Sequence, residues 1–161
     1  MQAESREEQV LRIRRFEEKD AEAVSALIRY TMQISNSRDY PPELLRGLPP
    51  EKVLERAGWT HFYVVDEGKE IIGCGSIGPY WGREDESSFF TIFVHPLYQG
   101  KGIGRKIVET LEADEYGLRA KRIEIPASIT ALPFYLKMGY SIKPGCEKPD
   151  EELIYRLEKY R

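Results

Sequence analysis

The sequence is poor in the residues that build disulfide scaffolds, metal sites and membrane spans. Its 161 residues include two cysteines, Cys74 and Cys146, and two histidines, His61 and His95. Two cysteines outside a CxxC pair do not form a disulfide framework, and so few ligands predict no metal site. The apolar runs fall well short of the roughly 18 residues that cross a bilayer, and the N-terminus lacks a signal-peptide segment. We therefore expect a cytoplasmic protein with no membrane association.

Positive charge is not concentrated in any block of the chain. The 24 Lys and Arg residues are dispersed among 27 Asp and Glu residues, which gives a formal net charge of −3. Because nucleic-acid binding requires a basic surface, we expect no nucleic-acid partner. The length suits one domain with its own core. The sequence therefore predicts a flexible N-terminus over residues 1–9 and a single domain over residues 10–161.

Hydrophobic periodicity and turn residues predict the element order β-α-α-β-β-β-α-β-α-β-β. Short connections indicate an antiparallel meander in the middle of the chain, and the later strand–helix–strand order indicates one parallel pair. The predicted fold class is therefore α/β with a mixed sheet of the α+β type. The predicted strands cover residues 10–14, 61–65, 69–77, 87–94, 122–125, 140–142 and 153–157. The predicted helices cover 20–32, 49–58, 102–118 and 131–138, with Asp20 and Thr130 as N-caps and a loop from residue 35 to 50.

A glycine-rich loop joins the central strand to the longest predicted helix. Pro96 turns the chain after Val94, and glycines at positions 100, 102 and 104 permit close backbone approach and left-handed dihedral angles. The first N–H groups of the helix beginning near Gly102 have no internal acceptors, and the helix dipole favours an anion there. Lys101 and Arg105 add positive charge. The pattern predicts an anion-binding site, and the expected ligand is a diphosphate.

The spacing of the glycines distinguishes among diphosphate motifs. An ATP-type loop requires GxxxxGK followed by Ser or Thr, whereas Gly100-Lys101 is followed by Gly102. The dinucleotide fingerprint requires GxGxxG in an N-terminal strand–turn–helix unit, whereas this chain has GxGxG after a meander. Both motifs fit poorly, so a nucleotide-binding domain is the weaker alternative.

A third pattern fits the loop. The segment Gln99-Gly100-Lys101-Gly102-Ile103-Gly104 resembles the acetyl-CoA signature Gln/Arg-x-x-Gly-x-Gly/Ala of the GNAT superfamily of N-acetyltransferases. The segment from Ser128 to Tyr140 resembles the second signature of that family, with Ser128 where the family usually has Asn. The resemblance implies one GNAT-like domain, with a mostly antiparallel twisted sheet splayed at one parallel strand pair and flanked by helices. It also implies acetyl-CoA as co-substrate and a homodimer.

The resemblance implies roles for two groups in acetyl transfer. Tyr135 matches the general acid that protonates the leaving thiolate, although a core tyrosine packed under the cofactor arm is the alternative. The backbone N–H of Val94 matches the donor that stabilises the oxyanion, at a bulge where the central strand splays from its parallel neighbour. The residues expected to bind the cofactor are Ile92, Phe93, Val94, Gln99, Gly100, Lys101, Gly102, Ile103, Gly104, Arg105, Ser128 and Tyr135.

The acceptor side carries no signature. Glu86, with its neighbours Glu84 and Asp85, precedes the central strand and is the expected general base through water, with His95 as a weaker alternative. Asp39, Tyr40, Tyr80 and Trp81 are expected to line the acceptor pocket from two loops. Acidic residues in these loops favour a cationic substrate. The expected reaction is acetyl transfer to a primary amine of a small molecule or peptide, and the alternative is a non-catalytic acyl-CoA-binding domain.

Overall fold

The structure is a computed structural model that describes residues 11–161. The expected flexible segment 1–9 and Val10 lie outside the described residues. The strands are β1 (Arg12–Arg15), β2 (His61–Asp66), β3 (Ile71–Pro79), β4 (Glu86–Val94), β5 (Arg122–Ser128), β6 (Ser141–Ile142) and β7 (Ile154–Tyr160). The helices are α1 (Ala21–Thr31), α2 (Pro50–Trp59), α3 (Ile103–Ala113), α4 (Glu115–Arg119) and α5 (Leu132–Lys137). Single 3-10 turns cover Glu18–Asp20, Pro42–Leu44 and Pro96–Tyr98, and a π-helical turn covers Met32–Asn36.

The seven strands form one mixed sheet in the order β1-β2-β3-β4-β5-β7-β6. Strands β1 to β4 are an antiparallel meander, β4 and β5 are parallel, and β7 is antiparallel to both β5 and β6. The predicted fold class, with its single parallel pair, is confirmed. No helix among residues 11–161 has the length and apolar character needed to cross a membrane.

The parallel pair is joined at one end only. Residues 86–88 of β4 pair with residues 122–124 of β5, and beyond Ser88 the two strands separate. On the other edge of β4, the register with β3 shifts between Cys74 and Ser76, where Thr91 adopts a left-handed φ of 57°. This is a β-bulge, which bends the strand and increases its twist. The predicted bulge was placed at Val94, whereas the structure has it three residues earlier.

Helices cover both faces of the sheet and bury its two hydrophobic sides. On one face, α3 packs Ile103, Ile107, Val108 and Leu111 against buried residues of the central strands, among them Phe89. On the other face, α1 and α2 pack against β2 and β3, and Cys74 is a fully buried core residue there. Burying each large aliphatic side chain contributes about 1.5–3 kcal/mol, so these two layers hold the central strands β3 and β4 from both sides.

The prediction of one long helix over residues 102–118 is wrong, because the helix ends before Asp114 and a second short helix follows. Asp114 has ψ 159° and is the N-cap of α4, where its carboxylate accepts the N–H of Tyr116. The same carboxylate accepts the Tyr63 hydroxyl at 2.6 Å and contacts His61 Nδ1 at 2.8 Å. A buried carboxylate is stable only with such partners, and a continuous helix would not present it to β2.

Two further local predictions differ from the structure. The N-cap of α5 is Ala131 rather than Thr130, which places Pro133 at the second helical position instead of the third. The Thr130 hydroxyl donates instead to Asp39 at 2.7 Å, and Ser128 Oγ accepts the Ala131 N–H at 3.1 Å. The segment expected to be loop from residue 35 begins inside the π-helical turn that extends α1. That turn carries the chain over the open end of the β4–β5 pair.

Candidate active site

Two cavities meet where β4 and β5 separate. The helix-side cavity, of about 620 Å³, lies between β4, the glycine loop, the start of α3 and α5. The loop-side cavity, of about 270 Å³, lies in the splay itself, under residues 32–45 and beside the start of β7. The two cavities share a wall made of Asn36, Ile92, Phe93, Ser128, Ala131 and Tyr135. A ligand in one cavity would therefore contact side chains that also face the other.

The glycine loop forms the mouth of the helix-side cavity. Gly100 and Gly102 have left-handed φ angles of 78° and 84°, and a Cβ atom built on either would meet nothing within 4 Å. Gly104 is packed more tightly, because a Cβ atom there would lie 3.2 Å from the Phe134 ring. The first intrahelical bond runs from the Lys106 N–H to the Gly102 carbonyl, so the preceding N–H groups of α3 have no helical acceptor. They are available to an anion.

Gln99 fixes the position of this loop. Its Nε2 donates to the Val94 carbonyl at 2.9 Å and to Ser35 Oγ at 2.9 Å. One side chain thus connects the glycine loop, the end of β4 and the π-helical turn. The expected anion loop is therefore anchored at its first residue, to β4 and to the π-helical turn.

The electrostatics of the helix-side cavity favour an anion. Arg105 and Lys137 line it, and its lining residues include no Asp or Glu. The nearest acid along the helix is Glu109, whose carboxylate is 4.0 Å from Arg105. Such an exposed pair is worth little, so Arg105 remains available to another anion.

Ten residues expected to bind the cofactor line the helix-side cavity: Ile92, Phe93, Val94, Gln99, Gly100, Gly102, Gly104, Arg105, Ser128 and Tyr135. Two do not. The Ile103 side chain is buried in the core under α3, so only its backbone remains near the helix N-terminus. Lys101 is not in the lining, and its ammonium lies over the ring of Tyr98, 5.7 Å from the ring centroid.

The Val94 N–H lies on the side of β4 that faces the splay. In an antiparallel ladder, hydrogen-bonded and non-hydrogen-bonded residue pairs alternate. The His95 N–H donates to the Ile72 carbonyl at 2.8 Å, so the preceding pair, Val94 with Gly73, is a non-hydrogen-bonded one. The Val94 N–H therefore points away from β3, toward a region where β5 no longer pairs with β4.

Tyr135 belongs to both cavities and is almost completely buried, with 5% of its surface exposed. Its ring packs against Phe134 and Tyr140, at centroid distances of 5.1 and 6.3 Å. Burial raises the pKa of the Tyr135 phenol above its ordinary value, so the hydroxyl stays protonated at neutral pH. Within residues 11–161 no hydrogen bond occupies this hydroxyl. It is free to donate a proton or a hydrogen bond.

The structure places the two loop residues expected to bind substrate in structural contacts. Tyr40 is buried in the wall of the loop-side cavity, where its hydroxyl accepts the Ile129 N–H at 2.8 Å and donates to the Leu153 carbonyl at 2.5 Å. It connects the residues after β5 to the residue before β7. Asp39 lines neither of the two cavities, since its carboxylate accepts the Thr130 hydroxyl.

Glu86 and Tyr80 lie at the opposite end of the strand pair. Glu86 begins β4, and a stretch of strand about 20 Å long separates it from Phe93 in the shared wall. Its carboxylate is 3.3 Å from the guanidinium of Arg122, which also lies 4.9 Å above the Tyr80 ring. Neither residue lines the two cavities, and Trp81 beside them is 85% exposed. The structure therefore does not bring Glu86 or Tyr80 to this site, because strands β4 and β5 are closed where they lie.

His95 also lies outside both linings. Its Nδ1 accepts the Leu97 N–H at 3.1 Å, and its ring packs between Tyr30 and Tyr98 at 5.2 and 5.6 Å. These contacts cap the turn that follows β4. Among residues 11–161, no group of three His, Cys, Asp or Glu side chains is arranged to hold a metal ion.

Several lining residues have no recognisable sequence signal. Thr31 enters the helix-side cavity as the last residue of α1, and Ser35 and Asn36 enter it from the π-helical turn, which a loop prediction does not reveal. Met32, Leu44, Leu45 and Ile154 supply apolar walls of the loop-side cavity. Glu152 is the one carboxylate in that lining. It reaches the cavity only because the loop after β6 folds back to the splay.

Comparison with known proteins identifies the family. The family model described as Acetyltransferase (GNAT) domain matches residues 58–142, which is more than half of the chain. The chain belongs to the GNAT acetyltransferase family. The match spans β2 to β6 and includes the glycine loop, Tyr135 and the shared wall apart from Asn36. The rest of the loop-side lining, from residues 32–45 and 152–154, lies outside it.

Solved structures share the complete GNAT fold at low sequence identity. The PaiA N-acetyltransferase of Thermoplasma acidophilum in complex with coenzyme A is 15% identical, with a TM-score of 0.78, over 94% of this chain and 99% of that one. The ribosomal-protein-S18-alanine N-acetyltransferase of Escherichia coli is 16% identical, with a TM-score of 0.68, over 94% of each chain. N-acetylglutamate synthase of Neisseria gonorrhoeae, complexed with coenzyme A and N-acetyl-glutamate, is 15% identical, with a TM-score of 0.74, over 95% of this chain and 35% of that one.

Proposed function

We propose that this GNAT protein transfers an acetyl group from acetyl-CoA to a primary amine of a small molecule or peptide. The observation that carries the proposal is the shared wall between the two cavities. A long cofactor in the helix-side cavity and an amine in the loop-side cavity would meet at Tyr135 and Ile92, which face both. Holding two reactants at one point supplies much of the rate enhancement of a bimolecular transfer.

The residues of the helix-side cavity fit acetyl-CoA. The glycine loop and the free N–H groups of α3 would hold the diphosphate, and Arg105 and Lys137 would add positive charge. Ile92, Phe93 and Val94 offer the exposed edge of β4 to an extended amide-containing arm. When bound, acetyl-CoA supplies an activated acyl thioester. Coenzyme A in the solved structures of two fold neighbours supports this assignment.

Two groups of this chain suit the demands of acyl transfer. The Val94 N–H faces the splay without a sheet partner, so it can donate to the acyl oxygen as negative charge develops there. The Tyr135 phenol, kept protonated by burial, can donate its proton to a leaving sulfur. Ser128 lines both cavities, and its Oγ already accepts the Ala131 N–H, which leaves its hydroxyl proton for a ligand.

Release of coenzyme A from acetyl-CoA in the presence of a broad amine panel tests this function. We expect at least one amine to be acetylated, with the product identified by mass spectrometry. Thermal-shift measurements with acetyl-CoA, ATP and NAD accompany it, and we expect acetyl-CoA alone to stabilise the protein, by about 2.7 kcal/mol at a hundred times its dissociation constant. Stabilisation without acetylation of any amine would favour the non-catalytic acyl-CoA-binding alternative. Stabilisation by ATP or NAD would contradict both.

The variant Tyr135→Phe tests whether the Tyr135 hydroxyl acts as the general acid. We expect turnover to fall by about 100-fold or more, while the dissociation constant for coenzyme A changes little. Tyr140→Phe is the matched control, because Tyr140 is equally buried and neighbours Tyr135 but donates its hydroxyl to Glu112 outside both cavities. Equal turnover in the Tyr135 variant and wild type would remove the acid role and leave Tyr135 as a packing residue.

A further inference from the structure

We infer that Glu152 selects the acceptor, and that the acceptor is a cationic amine on an apolar body with no carboxylate next to the amine. The inference rests on the proposed function and concerns the loop-side cavity. Glu152 is the one residue with a formal charge at neutral pH in the lining of that cavity. Among residues 11–161 its carboxylate makes no ion pair or hydrogen bond, so its charge is available to a ligand.

The rest of the loop-side cavity is suited to an apolar body. Its walls include Met32, Leu44, Leu45, Phe90, Ile125 and Ile154, and its volume is about 270 Å³. Ligand sites of about this size and upward hold small molecules, with few polar groups fixing their orientation. Glu152 lies at the exposed rim of the cavity, so an ammonium group that enters the cavity would first contact its carboxylate. Because primary amines are mostly protonated at neutral pH, they arrive as cations.

The backbone around Glu152 is held in one conformation. Asp150 Oδ1 accepts the N–H groups of both Glu152 and Ile154, at 2.9 and 3.0 Å. The intervening Leu153 has a left-handed φ of 62°, and its carbonyl accepts the buried hydroxyl of Tyr40. A non-glycine residue in this conformation requires support from its surroundings. These hydrogen bonds fix the backbone that carries the Glu152 side chain at the mouth of the cavity.

The positive charge of Arg56 lies behind the wall of the loop-side cavity. Arg56 Nη1 donates to Thr91 Oγ1 at 2.7 Å, and its guanidinium lies over the rings of Phe90 and Trp59. Arg56 does not line the cavity, whereas Glu152 does. A carboxylate next to the amine would have to pass the Glu152 charge at the rim, and no cation in the lining of the cavity offsets that charge. Free amino acids are therefore disfavoured relative to alkylamines, amino-acid amides and peptide N-termini.

The test uses the best acceptor from the amine panel and matched pairs such as leucine with leucinamide and phenylalanine with phenylalaninamide. We expect the best acceptor to lack a carboxylate next to its amine. Glu152→Gln should raise the KM for that acceptor by about three- to tenfold, and Glu152→Lys by about tenfold or more, because exposed charge pairs are modest and like charges repel. The KM for acetyl-CoA and the coenzyme A thermal shift should stay unchanged in both variants.

Glu151→Gln is the matched control, since Glu151 is the exposed neighbour and does not line the cavity. Acceptor KM should be unchanged there. A preference for the free amino acid within the pairs, or an unchanged acceptor KM in Glu152→Gln, would overturn the inference while leaving acetyl transfer intact. Binding of acetyl-CoA with no acetylation of any amine would instead contradict the proposed function.

Discussion

At the end where β4 and β5 hydrogen-bond to each other, charged side chains connect the strands, whereas at the end where they separate, polar groups are left without partners. Arg122 is 7% exposed in its side chain and lies 2.9 Å from both Glu124 and Glu158, and 3.3 Å from Glu86. At the open end, the Val94 N–H, the Tyr135 hydroxyl and the Glu152 carboxylate have no partner among residues 11–161.

Under the proposed function, one strand pair would serve stability at its closed end and ligand binding at its open end. Charges at the closed end neutralise one another, so they are not available to a ligand. At the open end, β5 does not pair with β4, so the backbone groups of β4 on that edge are available to a ligand. Glu86 illustrates the division, because the residue expected to act as a base is used to hold Arg122. The following predictions test whether the two ends can be disturbed separately.

The largest expected effect is at the closed end. Arg122→Leu removes the guanidinium that three carboxylates share, and among residues 11–161 only Glu124 keeps a cation within 3.5 Å, Lys143 at 3.1 Å. Removing one partner of a buried ion pair costs about 3–5 kcal/mol. We expect a loss of this size in the free energy of unfolding, measured by urea denaturation. The control is Arg83→Leu, an exposed arginine that also pairs with Glu86 and should cost less than about 1 kcal/mol. Equal losses in the two variants would contradict the distinction between buried and exposed pairs.

At the open end, Gly102→Ala should weaken cofactor binding. An alanine at φ 84° costs about 1–2 kcal/mol of stability, and its methyl group would occupy space at the mouth of the helix-side cavity. We expect the dissociation constant of coenzyme A, measured by calorimetry, to rise about tenfold, which corresponds to about 1.4 kcal/mol.

Gly82→Ala is the control, with φ 76°, open space around it and a position outside both cavities. It should lose similar stability and keep its affinity for coenzyme A. A Gly102 variant that keeps full affinity would argue that the anion is held elsewhere on α3.

The geometry of the glycine loop could be predicted from sequence because it depends on the local backbone. Alternating glycines, Pro96 and an amphipathic helix specify the left-handed dihedrals and the free N–H groups without reference to distant residues. Gly104 is an example of a longer-range requirement in the same motif, since it makes room for Phe134 of α5. The element order was predictable for a similar reason, because periodicity and turn residues are local signals.

The loop-side cavity could not be predicted, since it depends on contacts between distant segments. Tyr40 bonds the Leu153 carbonyl 113 positions away, and Glu152 reaches the cavity only through that fold-back. Sequence order placed Glu86 before the central strand, but only the β4–β5 register shows which end of the pair is open. The end of α3 at Asp114 could not be predicted for the same reason, because the side chains that bind Asp114, His61 and Tyr63, belong to the distant strand β2.

Tyr40→Phe tests the support of the acceptor side. The change leaves the Ile129 N–H and the Leu153 carbonyl without their shared partner, at a cost of about 1 kcal/mol. We expect faster hydrogen exchange at Ile129 and a higher KM for the acceptor amine, with the KM for acetyl-CoA unchanged. Tyr30→Phe is the control, because Tyr30 is 43% exposed and contacts His95 through its ring. A rise in both KM values would show that the two cavities are not separable.

The smallest expected effect concerns pH. Burial raises the pKa of Tyr135 above the ordinary tyrosine value of about 10, and the protonated phenol is the form that acts as an acid. Because its pKa is raised, the Tyr135 phenol loses its proton only at higher pH. A plot of kcat at saturating substrates against pH should therefore show no fall due to this group between about pH 7 and pH 10. The Tyr135→Phe profile should be lower with the same shape. A descending limb in this range that disappears in the variant would mean that the Tyr135 hydroxyl is more solvated than its 5% exposure indicates.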